Sequence, residues 1–176
     1  RERSTGDFGF GFGFSTTDKF LADISINERN LLGRGQAVSL SLTLASRRQQ
    51  INFSFTEPYF LNRNIAAGYD LFTISNDLQS QSSFSESSRG FSLRAGLPLA
   101  DRLSMSVSYT LRRDTVKDIG VNASTFVQEQ KGSRDISAVG YALMLDYRDD
   151  QYFPTDGYSV RVSQEFAGLG GTVRYL

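Results

Sequence analysis

The 176-residue chain has no cysteine, no histidine and no tryptophan. These absences remove disulfides, thiol nucleophiles, histidine bases and the usual zinc and copper ligand sets together. No catalytic residue, metal or cofactor is therefore expected. The 19 basic and 19 acidic residues cancel, so the sequence offers no electropositive footprint and no nucleic-acid partner is expected. It also lacks any run of about 18 apolar residues, which excludes a transmembrane helix. The opening "RERSTG" is no signal peptide. Lysine is scarce: Lys19, Lys117 and Lys131 are the only three, all in segments that read as connectors. A soluble sheet usually wets its outer face with lysine, glutamate and threonine, but here the polar half of each strand is serine, glycine, asparagine and scattered arginine.

What is present is alternation. In "GDFGFGFGF" (6–14), Phe8, Phe10, Phe12 and Phe14 share one face of a strand, while Gly9, Gly11 and Gly13 share the other behind Gly6 and Asp7. Glycine weakens a strand by roughly 0.5–1 kcal/mol relative to alanine, so this strand is apolar yet poorly held. The same period of two continues along the chain. Phe20, Ala22, Ile24 and Ile26 oppose Asp23, Ser25 and Asn27, and Val38 to Leu44 oppose Ser39, Ser41 and Thr43. Further strands centre on Phe53, Phe91, Val107, Leu143 and Val162. A fifth, about 65–75, is less clean because Leu71 and Phe72 are adjacent, which predicts either a bulge or burial on both faces. Segment 114–135 reads as the longest irregular stretch, and a tenth strand begins after "AGLGG".

The pattern predicts an all-β antiparallel meander of about nine to ten strands. Two readings fit it: a soluble β-sandwich binding module, or the wall of a transmembrane β-barrel. The strands' lack of lysine, the absence of a sheet-crossing connection and the Ser/Gly/Arg face suited to a watery lumen favour the barrel. Strands of about nine to eleven residues also match a tilted bilayer crossing. Tyr59, Phe60, Tyr147, Tyr152, Phe153 and Tyr158 are candidates for one membrane interface. Gly9, Gly11 and Gly13 have the wrong spacing for a phosphate loop. Asp149, Asp150 and Asp156 read as turn formers rather than cation ligands, and "NAS" at Asn122 is a glycosylation pattern by letter only. Arg94, Arg112, Asp146, Arg161 and Glu165 fall on the lumenal face, solvated or paired.

Four stretches carry a resemblance: Thr5-Gly6 opening a glycine-rich strand, "ERNLLGRG" (28–35), "FTEPYFLNRN" (55–64) and "YRDDQYFPTDGYSV" (147–160). In order and spacing they resemble landmarks of the BamA family of outer-membrane assembly factors, within a superfamily that includes translocation-assembly and two-partner-secretion transporters. The resemblance implies a barrel of sixteen strands when complete, preceded by periplasmic POTRA domains. Residues 1–5 would be the trailing edge of that region, and 6–176 a partial transmembrane barrel truncated in the tenth strand. Such a fragment is expected not to insert as a closed barrel alone, since unpaired strand edges are costly in hydrocarbon.

The resemblance further implies that Gly6 to Phe14 form one side of a lateral gate, which pairs with the strands of nascent outer-membrane β-barrel proteins. The partners it implies are outer-membrane lipid, those nascent proteins, and periplasmic assembly lipoproteins acting through the POTRA domains, in the bacterial outer membrane. A passive pore or two-partner-secretion channel remains the alternative, with the glycines only widening the lumen.

Overall fold

The computed structural model describes residues 5–16, 19–120, 124–150 and 152–175. Nine strands form one antiparallel sheet in strict sequence order. They are β1 (Gly6–Ser15), β2 (Lys19–Leu31), β3 (Gln36–Ala45), β4 (Arg48–Glu57), β5 (Ala66–Asp77), β6 (Ser85–Ala100), β7 (Leu103–Lys117), β8 (Gly132–Asp146) and β9 (Ser159–Ala167). Two short helical turns, α1 (Gln79–Ser82) and α2 (Thr125–Glu129), sit in connectors, as does a 3-10 turn at Phe60–Asn62.

Residues directly opposite in a ladder share a face, so the register tests the alternation. One row reads Phe8, Ile26, Leu40, Phe53, Leu71, Phe91, Leu111 across seven strands. The adjacent row, on the opposite face, reads Asp7, Asn27, Ser39, Ser54, Asp70, Ser92, Thr110. Across these seven strands the sheet is thus apolar on one side and polar on the other, while at β8 the two rows continue into Ser137 and Ala138. No second sheet covers the apolar side among the described residues, which removes the sandwich reading. Among the described residues, buried hydrophobic side chains are confined to Ile136, Ala138 and Ala142 on β8, which lie in the polar phase opposite Arg112, Thr110 and Ser106, while Phe8, Phe12, Leu71 and Leu93 on the apolar face stay exposed.

Several expectations need correction. No bulge occurs at Leu71: β5 pairs without a break, with Leu71 opposite Phe53 and Phe91, and Phe72 opposite Asn52 and Gly90. Nor is the strand buried on both faces, because Leu71 is exposed. The bulges lie elsewhere, at Glu28/Leu31 and Pro98/Ala100. The stretch 114–135 is shorter as a loop than its sequence suggests, since β7 runs on to Lys117 and β8 starts at Gly132. Polar residues on both faces hide such strand ends from an alternation argument, while the ladder Ser85↔Lys117 and Val116↔Gly132 carries them. Lys19 and Lys117 are accordingly strand-end residues; Lys131 stays in a connector.

Residues 168–175 do not form a tenth ladder. They turn at Gly168 and Gly170, both with positive φ, and bridge back through Ala167 and Tyr175. The Thr172 amide donates to the Asp135 carbonyl at 2.7 Å, which brings Gly171 against β8 where a Cβ would stand 2.6 Å from that carbonyl oxygen. Of segment 1–5 only Thr5 lies within the described residues, and its carbonyl accepts from the Arg29 amide at 3.2 Å. Asn122 lies outside them.

Candidate functional site

The nine residues Gly6 to Phe14 fall together on β1, which among the described residues is an edge strand laddered with β2. The opposite edge, β9, is not paired with it. Along its middle, from Phe8 to Phe14, β1 therefore presents on its outer side backbone groups with no ladder partner among the described residues. Its apolar face carries Phe8, Phe10, Phe12 and Phe14 against Ile26, Ile24, Ala22 and Phe20. Phe8 is 68% and Phe14 81% exposed on this uncovered face. Phe10 and Phe12 meet edge to face at 4.3 Å between centroids, and Phe12 lies 5.7 Å from Phe20.

The glycines divide into two kinds. A Cβ on Gly9 would stand 2.4 Å from Ser25 Oγ, and one on Gly6 2.7 Å from Glu28 Oε2. These two are closely covered. At Gly11 nothing lies within 4 Å, and at Gly13 only Leu21 does, at 3.8 Å. Asp7 is tied to β2 by the Asn27 amide, which donates to Oδ2 at 2.9 Å. On the same face, the space over Gly11 is open and over Gly13 only Leu21 approaches.

Deeper in the sheet that face is strongly knitted. Arg94 lies across β5 to β4, donating from Nε to Asp70 Oδ2 at 2.9 Å and from Nη2 to Ser54 Oγ and Thr56 Oγ1, each at 2.8 Å. It passes over Gly68, where a Cβ would be 3.1 Å from the guanidinium carbon and 2.4 Å from the Phe55 carbonyl oxygen. Arg112 pairs with Asp114 at 3.3 Å, Asp146 with Arg148 at 2.7 Å, and Glu165 accepts from the Tyr175 hydroxyl. The alternation placed Arg94 on this face; Asp70 was missed, although its position on β5 in the polar phase was the available signal.

The connectors holding the sequence landmarks gather at one end. In 147–158 the Asp149 carboxylate accepts from the amides of Asp150, Thr155 and Asp156 at 2.9–3.1 Å and from the Thr155 hydroxyl. Asp150 Oδ1 accepts from the amides of Tyr152 and Phe153 at 2.7 and 2.8 Å. The Thr155 hydroxyl, followed by the Asp156 amide, holds the Asp149 carboxyl well below the usual range, and the Phe153 and Tyr152 amides lower that of Asp150. The aspartates thus act as turn formers. Tyr147 stacks on Tyr158 at 5.3 Å with Arg102 over its ring, while Tyr152 and Phe153 project outward. At the same end, the 3-10 turn exposes Tyr59, Phe60 and Leu61 beside a groove of about 790 Å³.

A one-layer antiparallel meander with an apolar outer face, a polar inner face and aromatic residues clustered at one end is a section of a membrane β-barrel wall. The chain belongs to the Omp85 superfamily, whose domain matches residues 30–176. It is 29% identical to the outer membrane protein assembly factor BamA of Neorickettsia risticii (strain Illinois), covering 100% of this chain and 24% of that protein. Identity to BamA of Nitratidesulfovibrio vulgaris is 30%, over 97% of this chain and 22% of the relative. The crystal structure of BamA from Haemophilus ducreyi lacking POTRA domains 1-3 matches with a TM-score of 0.70 at 20% identity, over 97% of this chain and 35% of that one. That likeness establishes the fold. The chain spans about a quarter of the length of these two curated relatives.

Proposed function

We propose that this chain is part of an outer-membrane β-barrel assembly and insertion factor, and that β1 is one side of a lateral gate at which nascent barrel strands pair. The observation that carries the reading is the make-up of β1: a ten-residue strand laddered with β2 whose one face carries four phenylalanines and whose other leaves open space at Gly11 and only ordinary contact at Gly13. An exposed strand edge is a template for another strand, and main-chain hydrogen bonds need no particular side chains from the incoming partner. Phenylalanines keep the outer face compatible with hydrocarbon as the seam opens, and glycines keep the ladder weak enough to exchange. The relatives' name, assembly factor, supports the same reading.

The bacterial outer membrane is the proposed site of action, with outer-membrane lipid, nascent β-barrel proteins and periplasmic assembly lipoproteins as partners. No bond-making chemistry enters the scheme. The test is to replace Gly11 and Gly13 by valine in the intact protein and to follow folding of a substrate barrel alongside ion conductance. A gate strand requires assembly to fall while conductance holds. A passive pore would show the reverse, narrowed conductance with no assembly to lose.

A further inference from the structure

The outward face changes character along β5 to β8. Leu71, Phe91 and Leu111 lie side by side in one row; the next row toward connectors 78–84 and 118–131 is Thr73, Arg89, Arg113 and Asp135. Beyond it come Ser75, Ser87, Thr115 and Ser133. Arg89 and Arg113 are therefore the first charged positions past the apolar band, on the face that the barrel reading turns to lipid. Charge on this face is costly at the bilayer midplane and nearly free at the interface, which places the row at headgroup depth.

Arg89 and Arg113 are directly opposite one another, an arrangement that repels unless an anion intervenes. Asp135 answers only one of them, accepting from Arg113 Nε at 2.5 Å and Nη2 at 2.8 Å. The Arg89 side chain is exposed and makes no hydrogen bond or ion pair with any described residue. Arg113 keeps unused N–H donors after its two bonds, because a guanidinium has five. Two arginines against one aspartate leave a net positive charge at the edge of an apolar surface. Guanidinium groups bind phosphate oxygens in pairs, with planar geometry.

We propose that Arg89 and Arg113 form a site for the phosphate of a membrane lipid whose acyl chains lie along Phe91 and Leu111. The site rests on the barrel-wall reading above. Lys117 extends it outward on the same side of β7, opposite Ser85.

The test places the intact protein in nanodiscs of phosphatidylcholine doped with either phosphatidic acid or a diacylglycerol of the same chains, and counts retained lipid by native mass spectrometry. Phosphatidic acid is retained selectively, and Arg89→Gln weakens that retention about tenfold, the size expected for a charge-assisted contact. The Arg89 side chain has no partner among the described residues to lose, so this variant keeps the fold; Asp135→Asn, which frees Arg113, strengthens retention. Inorganic phosphate does not displace the lipid. Equal retention by Arg89→Gln, or displacement by inorganic phosphate, overturns the site. A protein that never enters the nanodisc overturns the wall reading instead, which separates the two failures.

Discussion

Gly11 lies directly opposite Asp23, and no heavy atom outside its chain neighbours comes within 4 Å of where a Cβ would stand. Gly9, two residues earlier on the same face, would drive a Cβ to 2.4 Å from Ser25 Oγ. A side chain at Gly9 must therefore first turn Ser25 Oγ aside, whereas one at Gly11 meets open space. Gly11→Val should keep or raise the stability of the β1–β2 ladder, by roughly 0.5–1 kcal/mol from strand preference. Gly9→Val should gain less than Gly11→Val, because Ser25 must change rotamer to admit it. Hydrogen exchange of the β1 amides in each variant checks this; equal loss of protection in both would show that the open space at Gly11 is not real.

On the lumenal face, Arg94, Asp70 and Gly68 act as a unit. The Arg94 and Asp70 side chains are each about a third exposed (39% and 32%), so solvent screening leaves their pair about 0.5–1 kcal/mol. Arg94→Ala should cost about 1–2 kcal/mol, since hydrogen bonds to Ser54 and Thr56 go with the ion pair. Gly68→Ala should cost at least as much, because its Cβ meets the backbone oxygen of Phe55 and not merely a movable side chain. Urea midpoints of the intact protein measure both variants; a neutral Gly68→Ala would contradict the close approach.

The 147–158 connector should be ordered by charge. The folded carboxyl of Asp149 titrates below its ordinary value, so its contribution is complete above about pH 4 and is lost as pH falls through the depressed folded value. Exchange at the Thr155 and Asp156 amides should stay slow from neutral pH down to that region and then accelerate. In Asp149→Ala it should be fast throughout, with limited proteolysis cutting in the same connector. Slow exchange in Asp149→Ala would mean that the loop is held by something other than this carboxylate.

Much of the fold was legible because a wall one layer thick must show its two faces in every strand. Phe91, Leu93 and Ala95 against Ser92 and Arg94 is as clear in letters as in the ladder. What escaped were places where both faces are polar, such as Ser85–Ser88 and Gly132–Asp135, whose strand character comes from backbone pairing alone. Leu71-Phe72 misled for the opposite reason, since an aromatic on the polar face imitates a bulge. At β1 the sequence marked the strand and its two faces. It carried no sign that Ser25 covers Gly9 while Gly11 stands open, because that difference depends on register. The pairing of Arg94 with Asp70 likewise joins residues 24 positions apart that only the ladder aligns.

The central claim, that β1 is the edge at which an incoming strand pairs, is tested most directly by crosslinking. This chain has no cysteine, so single cysteines at Gly9, Phe10, Gly11 and Phe12 introduce the only thiols within it. Each is combined with cysteines along the terminal strand of a substrate barrel during assembly. The account predicts disulfides that advance one residue on β1 for each residue on the substrate strand, as a ladder with fixed register requires, and none from cysteines placed on interior β4. Substrate that folds with no crosslink to β1, or that crosslinks equally to β4, would contradict it.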